Sequence, residues 1–148
     1  MYCHGNTQSG GELSPEKLLI QSLFLDAWND QDFSVLEAST SGADTMTLHV
    51  HGQSMQTHFE ELKGLVAFWK RSFPDLKFEI HHMIQEKDMV AVNLTYTATH
   101  SGDWWGIPPS GNKISVAEMM FFRFDNGRLI EAWETYDEAG QRRQMEKR

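Results

Sequence analysis

The spacing of apolar residues predicts an α+β fold, with helices in the first half of the chain and an antiparallel sheet in the second. Three observations carry this expectation. Before Pro74, apolar residues recur every three or four positions in two segments, as on one face of a helix. After Pro74 they alternate with polar residues, as in half-buried strands. Turn sequences such as Glu86-Lys87-Asp88 and Asp125-Asn126-Gly127 join the alternating segments closely enough for hairpins.

Residues 1–12 are rich in Gly, Ser, Asn and Gln and nearly devoid of apolar side chains, so ordering them would lose backbone entropy without burial in return. They are expected to be a flexible tail ahead of one domain over 13–148. Ser14-Pro15 reads as an N-cap with proline at the first helical position. Leu19, Ile20, Leu23, Phe24, Ala27 and Trp28 continue it as an amphipathic helix ending near Asn29-Asp30. A short helical turn is expected over 33–38 and a strand over 46–51. Leu62, Leu65, Val66, Trp69 and Phe73 mark a second long helix, stopped by Pro74. Phe78, Ile80, His82 and Ile84 then share one side of a strand, and Val90, Val92, Leu94, Tyr96 and Ala98 one side of its partner. Strands follow over about 113–124 and 128–137, and 138–148 reads as a charged, frayed helix.

The chain of 148 residues, 40% hydrophobic and 11% aromatic, suits one sizeable core. Its 13 basic and 21 acidic residues give a net charge of −8, which disfavours nucleic acid and anionic membranes as partners. Cys3 is the lone cysteine, so neither an internal disulfide nor a thiolate zinc site is expected, and a reducing cytoplasm is the expected location. Neither a signal peptide nor a membrane-spanning apolar run is read.

The strand over 113–124 holds the main chemical signal. Its even positions are Ile114, Val116, Glu118, Met120, Phe122 and Phe124, which set one carboxylate in an apolar row. In the following strand Glu134 shares a face with Ile130, Ala132 and Tyr136, and Glu131 and Asp137 take the other. A three-residue turn, Asp125-Asn126-Gly127, would bring Glu118 opposite Glu134 and keep Ile130 in the core. A tighter turn at Asn126-Gly127 would bring Thr135 opposite Glu118 and send Glu134 to the far face. The first is preferred. Two facing carboxyls in an apolar pocket cannot both ionise cheaply, so one is expected to hold a proton while the other acts as a base. The competing reading has each glutamate satisfied by Lys, Arg or Tyr at a sheet edge.

His49-x-His51 on a strand would put two rings on one face, but no third ligand is apparent, so no metal is expected. Trp104 and Trp105 lie in a loop rich in glycine and proline that could roof a pocket over a flat apolar ligand, or cap the open end of the core. Phosphate-binding loops and nucleotide fingerprints are not found, so no cofactor is expected.

Four stretches carry a resemblance to a known family. They are Ala27-Trp28-Asn29, Ser72-Phe73-Pro74-Asp75-Leu76, Thr99-His100 running into Gly106-Ile107-Pro108-Pro109-Ser110-Gly111, and Phe122-Arg123-Phe124 through Gly127-Arg128-Leu129-Ile130-Glu131. With these the chain resembles the SnoaL-like polyketide cyclases, or ester cyclases, of the nuclear-transport-factor-like superfamily. The resemblance implies a cone-shaped α+β barrel, a curved antiparallel sheet wrapped by N-terminal helices around an internal pocket, and a homodimer formed through the sheet. It also implies intramolecular aldol chemistry on a polyketide ester without metal or cofactor. The family's strand acid falls on Glu134, where the characterised cyclases carry Asp. Met120 stands where they have a histidine, and His100 matches a family histidine.

The expected function is thus a cofactor-independent cyclase or isomerase acting on a small hydrophobic carbonyl compound. Glu134, Glu118 and His100 are the expected catalytic groups, and His49, Met120, Trp104, Trp105, Tyr136 and Phe122 the expected substrate contacts. The alternative is a non-catalytic domain that binds an apolar ligand in the same pocket.

Overall fold

The computed structural model describes residues 13–40 and 44–148; the expected tail and Cys3 lie outside them. The first helix, α1 (Pro15–Ser22), starts at Ser14, whose hydroxyl accepts from the Lys17 N–H at 3.1 Å. It widens into a π-helical stretch, Leu23–Trp28, which turns Leu23, Phe24 and Trp28 towards one space under the sheet. The Asn29 side chain then bonds both backbone groups of Phe78, at 3.0 and 2.7 Å. This clamp fixes the helix end to the sheet edge. Helix α2 (Ser34–Ser39) is short, and α3 (Phe59–Ser72) buries Val66 and packs Leu62 and Trp69 against the core.

Six strands form one curved sheet: β1 (Thr45–Val50), β2 (Gln53–His58), β3 (Lys77–Glu86), β4 (Met89–Thr99), β5 (Lys113–Asp125) and β6 (Arg128–Tyr136). Their order is β2-β1-β6-β5-β4-β3. The expected sheet was wholly antiparallel, but β1 joins β6 in parallel, Leu48 beside Ala132 and Val50 beside Glu134. Strand β2 was not foreseen, because its polar residues are nearly all exposed at an edge and carry no alternation. The sheet does not close: β2 and β3 are both edges, and the helices cover its concave face.

Two bulges adjust which residues face inward. His81 is the extra residue in β3, so Met83 rather than His82 turns inward beyond it, and Ile84 is left 66% exposed on the outer face. In β6 the extra residue is Ile130, discussed below. The C-terminal segment is more than a frayed end. Helix α4 (Glu138–Glu146) starts at Asp137, whose carboxylate accepts from the Gly140 N–H at 2.8 Å, and buries Gln141 and Met145. Among the described residues, no helix is long and apolar enough to cross a membrane.

The loop after β4 is tied down at several points. Asp75 accepts from both the backbone and the hydroxyl of Thr99 at 2.7 Å, and the Ser72 carbonyl accepts from Ser101 and Gly102. A side chain at Gly102 would approach the Arg71 carbonyl oxygen to 2.5 Å, so glycine is required there. These contacts give the Phe73-Pro74-Asp75 and Thr99-His100 stretches a shared structural reason.

Candidate active site

Alternation in β5 is unbroken: Ile114, Val116, Glu118, Met120, Phe122 and Phe124 are all buried, and every residue between them is exposed. Glu118 therefore enters the concave face among apolar neighbours, with only 5% of its surface exposed. Glu134 reaches the same space by an unforeseen route. The turn is the tight one, with Asp125 paired to Arg128 and with Asn126 and Gly127 at φ 48° and 78°. Alone, that turn would send Glu134 outward. The bulge at Ile130 shifts the ladder by one residue and brings it back. Ile130 itself is thrown to the exposed side, and Leu129 takes the core position expected for it. Glu134 thus lies opposite Met120, and Glu118 opposite Tyr136, so the two carboxyls are diagonal neighbours rather than directly facing.

Around them is a cavity of about 100 Å³. Trp28, Trp69, Phe78, Met120 and Phe122 give it aromatic and apolar walls, with Leu23 and Phe24 beneath and Met46 and Leu48 at the β1 side. Among the described residues, the only carboxyls in the lining are Glu118 and Glu134, accompanied by the phenols of Tyr96 and Tyr136. Burial pushes the Glu118 carboxyl up to about 9, helped by the Glu134 charge and by the hydrogen bond between the two. Glu134 is raised as well, chiefly by burial, but the Glu118 hydrogen bond and the nearby His51 oppose the rise. Such a bond requires one proton between the pair. That proton belongs to the pair rather than to either carboxyl alone.

Both phenols stay protonated at neutral pH. Burial raises Tyr96, whose hydroxyl donates to Gln141 Oε1 at 2.6 Å. Tyr136 is pushed up to about 12 by burial and by the charges of Glu138, Glu134 and Glu118.

Four of the expected site residues, one catalytic and three substrate contacts, lie elsewhere. His100 is fully buried beneath its own loop and does not line the cavity; its Nδ1 accepts from the Ser110 N–H at 3.3 Å and its ring lies 5.7 Å from Phe73. His49 is on the outer face, stacked on Trp133 at 5.1 Å and bonded to Ser54 and Glu131 at 2.7 Å each. The His49-x-His51 pair does not share a face. Residue 51 is in the β1-β2 turn at φ 49°, its ring 4.8 Å from Tyr136. Trp104 packs on Trp69 and Phe73 at 4.6 and 5.1 Å, outside the lining, and Trp105 is 77% exposed. Met120, Phe122 and Tyr136 do line the cavity.

Sequence reasoning missed Met46, Leu48 and Gln141 as neighbours of the site. Met46 and Leu48 had a signal in the alternation of their strand. Gln141 had none, being one polar residue in a charged stretch.

A model of the SnoaL-like polyketide cyclases matches residues 18–145. The chain belongs to that family. None of the curated proteins matches the chain. Among solved structures, a protein from Acidithiobacillus ferrooxidans assigned as a polyketide cyclase is 23% identical, with a TM-score of 0.77 over 91% of this chain and 96% of that one. A SnoaL-like cyclase assigned in Jannaschia sp. CCS1 is 21% identical, with a TM-score of 0.76 over 94% and 99%. AclR from Streptomyces galilaeus, assigned as a hydroxylase, is 24% identical, with a TM-score of 0.73 over 93% and 84%. At such identities the SnoaL-like likeness is one of fold, and reaction must be argued from the site.

Proposed function

We propose that this SnoaL-like protein is a cofactor-independent enzyme of cyclase or isomerase type, which moves a proton next to a carbonyl in a small hydrophobic substrate. The supporting observation is the proton-sharing pair Glu118 and Glu134 in an otherwise aromatic cavity. Glu134, the carboxylate of the pair, takes the proton from carbon. Glu118, a carboxylic acid at neutral pH, donates to the oxygen on which negative charge grows, with the Tyr136 phenol as a second donor. The low polarity of the walls strengthens both interactions.

Deuterium exchange at the α carbon of 2-tetralone in D2O, followed by proton NMR, tests this reading. Enzyme-dependent exchange that disappears in Glu134→Gln is the expected result. If the wild type exchanges no faster than buffer and Glu134→Gln binds the ketone equally well, the protein is a binding domain.

We further propose that two copies associate through the outer sheet face. Ile84, Ala91, Phe121 and Trp133 form one row across β3, β4, β5 and β6. Ile84 is 66% and Phe121 52% exposed, with Met119 beside them at 60%. Sedimentation of wild type as a dimer and of Phe121→Lys as a monomer is the expected outcome; a monomeric wild type would overturn it.

A further inference from the structure

A second cavity, of about 250 Å³, lies between the turn at Trp104–Ile107 and helix α4. Three observations mark it. Gln141 lines it and is 2% exposed, and its amide nitrogen has no hydrogen-bond partner, although its Oε1 is held by the Tyr96 hydroxyl. An amide donor left this way costs free energy unless something accepts from it. Trp105 lines the same space, 77% exposed and at φ 48°, a conformation that a bulky residue adopts only under constraint. Tyr136 lines both this cleft and the cavity that holds Glu118 and Glu134, so the two spaces meet at one phenol ring.

We propose that this cleft is a second ligand subsite, binding a planar aromatic group whose carbonyl oxygen accepts from the Gln141 amide. The indoles of Trp104 and Trp105, set nearly perpendicular at 80°, supply an apolar corner against which one face and one edge of a ring can pack, and Gln141, one side chain away from Tyr96, supplies the donor. Charge argues for a neutral carbonyl over a carboxylate. Arg142 and Glu138 both line the cleft with opposite signs, and Arg142 is already paired with Glu146 at 3.0 Å. Size argues for an extended ligand, because an inner cavity of about 100 Å³ holds little more than a reacting ring. The rest of such a molecule would pass Tyr136 into the cleft. Only this last step rests on the function proposed above; binding in the cleft does not depend on the carboxyl pair.

The test compares 2-acetylnaphthalene with 2-ethylnaphthalene, alike in shape but differing in the carbonyl. Binding is followed by NMR of the Gln141 side-chain amide and the Trp104 and Trp105 indoles. The ketone should shift all three signals and bind about fivefold more tightly than the hydrocarbon. Gln141→Leu should abolish that preference. Trp105→Ala removes a largely exposed ring whose protein contacts are the rings of Phe68 and Trp104, and so stays informative should Gln141→Leu fail to fold; it should weaken both ligands by about tenfold. Equal affinities for the two ligands, an unmoved Gln141 amide, no binding at all, or shifts confined to residues beside Glu118 would each overturn the subsite. A change in sedimentation on Trp105→Ala without ligand binding would mean that a second copy of the chain covers the indole, and would overturn it too. Glu134→Gln separates the two proposals, because it should abolish exchange at carbon and leave the naphthyl ketone bound in the cleft.

Discussion

Glu131 and Glu134 stand three residues apart on one strand and point to opposite faces of the sheet, where their surroundings give them opposite chemistry. On the outer face Glu131 meets a ring nitrogen and a cation: His49 at 2.7 Å and Arg123 at 3.7 Å, both beside Trp133. On the inner face Glu134 meets another carboxyl and aromatic rings. A carboxylate with a cationic partner at the surface is an ion pair worth little more than its geometry. One that lies beside a second carboxyl in an apolar and aromatic cavity is a base with a raised affinity for protons. Residue type does not separate them; the face does.

The sharpest way to break this contrast is to change each acid in turn. Glu134→Gln should lower enzyme-dependent exchange at carbon by about 100-fold or more, the usual scale for losing a general base. Glu131→Gln should change it by less than about twofold. Equal effects of the two substitutions on exchange measured by NMR would mean that the inner pair has no special role.

The pair should also show itself in stability. Because Glu118 binds its proton more tightly when folded than when unfolded, the native state carries the extra proton between about pH 4.5, the ordinary value, and about 9. Its contribution is fully present below that window and is lost as pH rises through it, at a rate on the order of 1 kcal/mol per pH unit. Urea unfolding of the wild type from pH 5 to pH 8 should therefore show falling stability. Glu118→Gln, which keeps the shape and removes one of the two raised carboxyls, should reduce that slope, whereas Glu131→Gln should preserve it.

How much of this was legible in the sequence follows the range of the forces involved. The burial of Glu118 was readable, because a strand alternates with period two and β5 does so over its whole length. The position of Glu134 was not, because it depends on one unpaired residue. The local signal at Asn126-Gly127 favours a tight turn, which on its own would turn Glu134 out; Ile130 bulges instead, so that Leu129 and Ala132 can both be buried. Tertiary packing decided a register that no local pattern contained. The same holds for the parallel pairing of β1 with β6, made by segments about eighty residues apart, and for Gln141, whose burial depends on where α4 docks. His100 misled for the opposite reason. Its match to a family histidine suggested a catalytic role, but here the loop after it is anchored by Asp75, Ser72 and Ser110, and the ring is part of the anchorage.

The smallest effect expected is on the outer face, and it probes whether that face is free. In an isolated chain His49 and Glu131 are each about a quarter exposed, so solvent screens their attraction. His49→Ala then removes two hydrogen bonds and one ring contact at a partly wetted site, and should cost about 1 kcal/mol in urea unfolding. Against a second copy the same cluster would lose its water. Removing His49 would then leave Glu131 with the more distant Arg123 in a dry interface, and the cost should rise to about 3 kcal/mol. Measuring the loss above and below the dimer dissociation concentration separates the two cases. A small loss at all concentrations would place the interface away from β1 and β6, over the Ile84 and Phe121 end of the row.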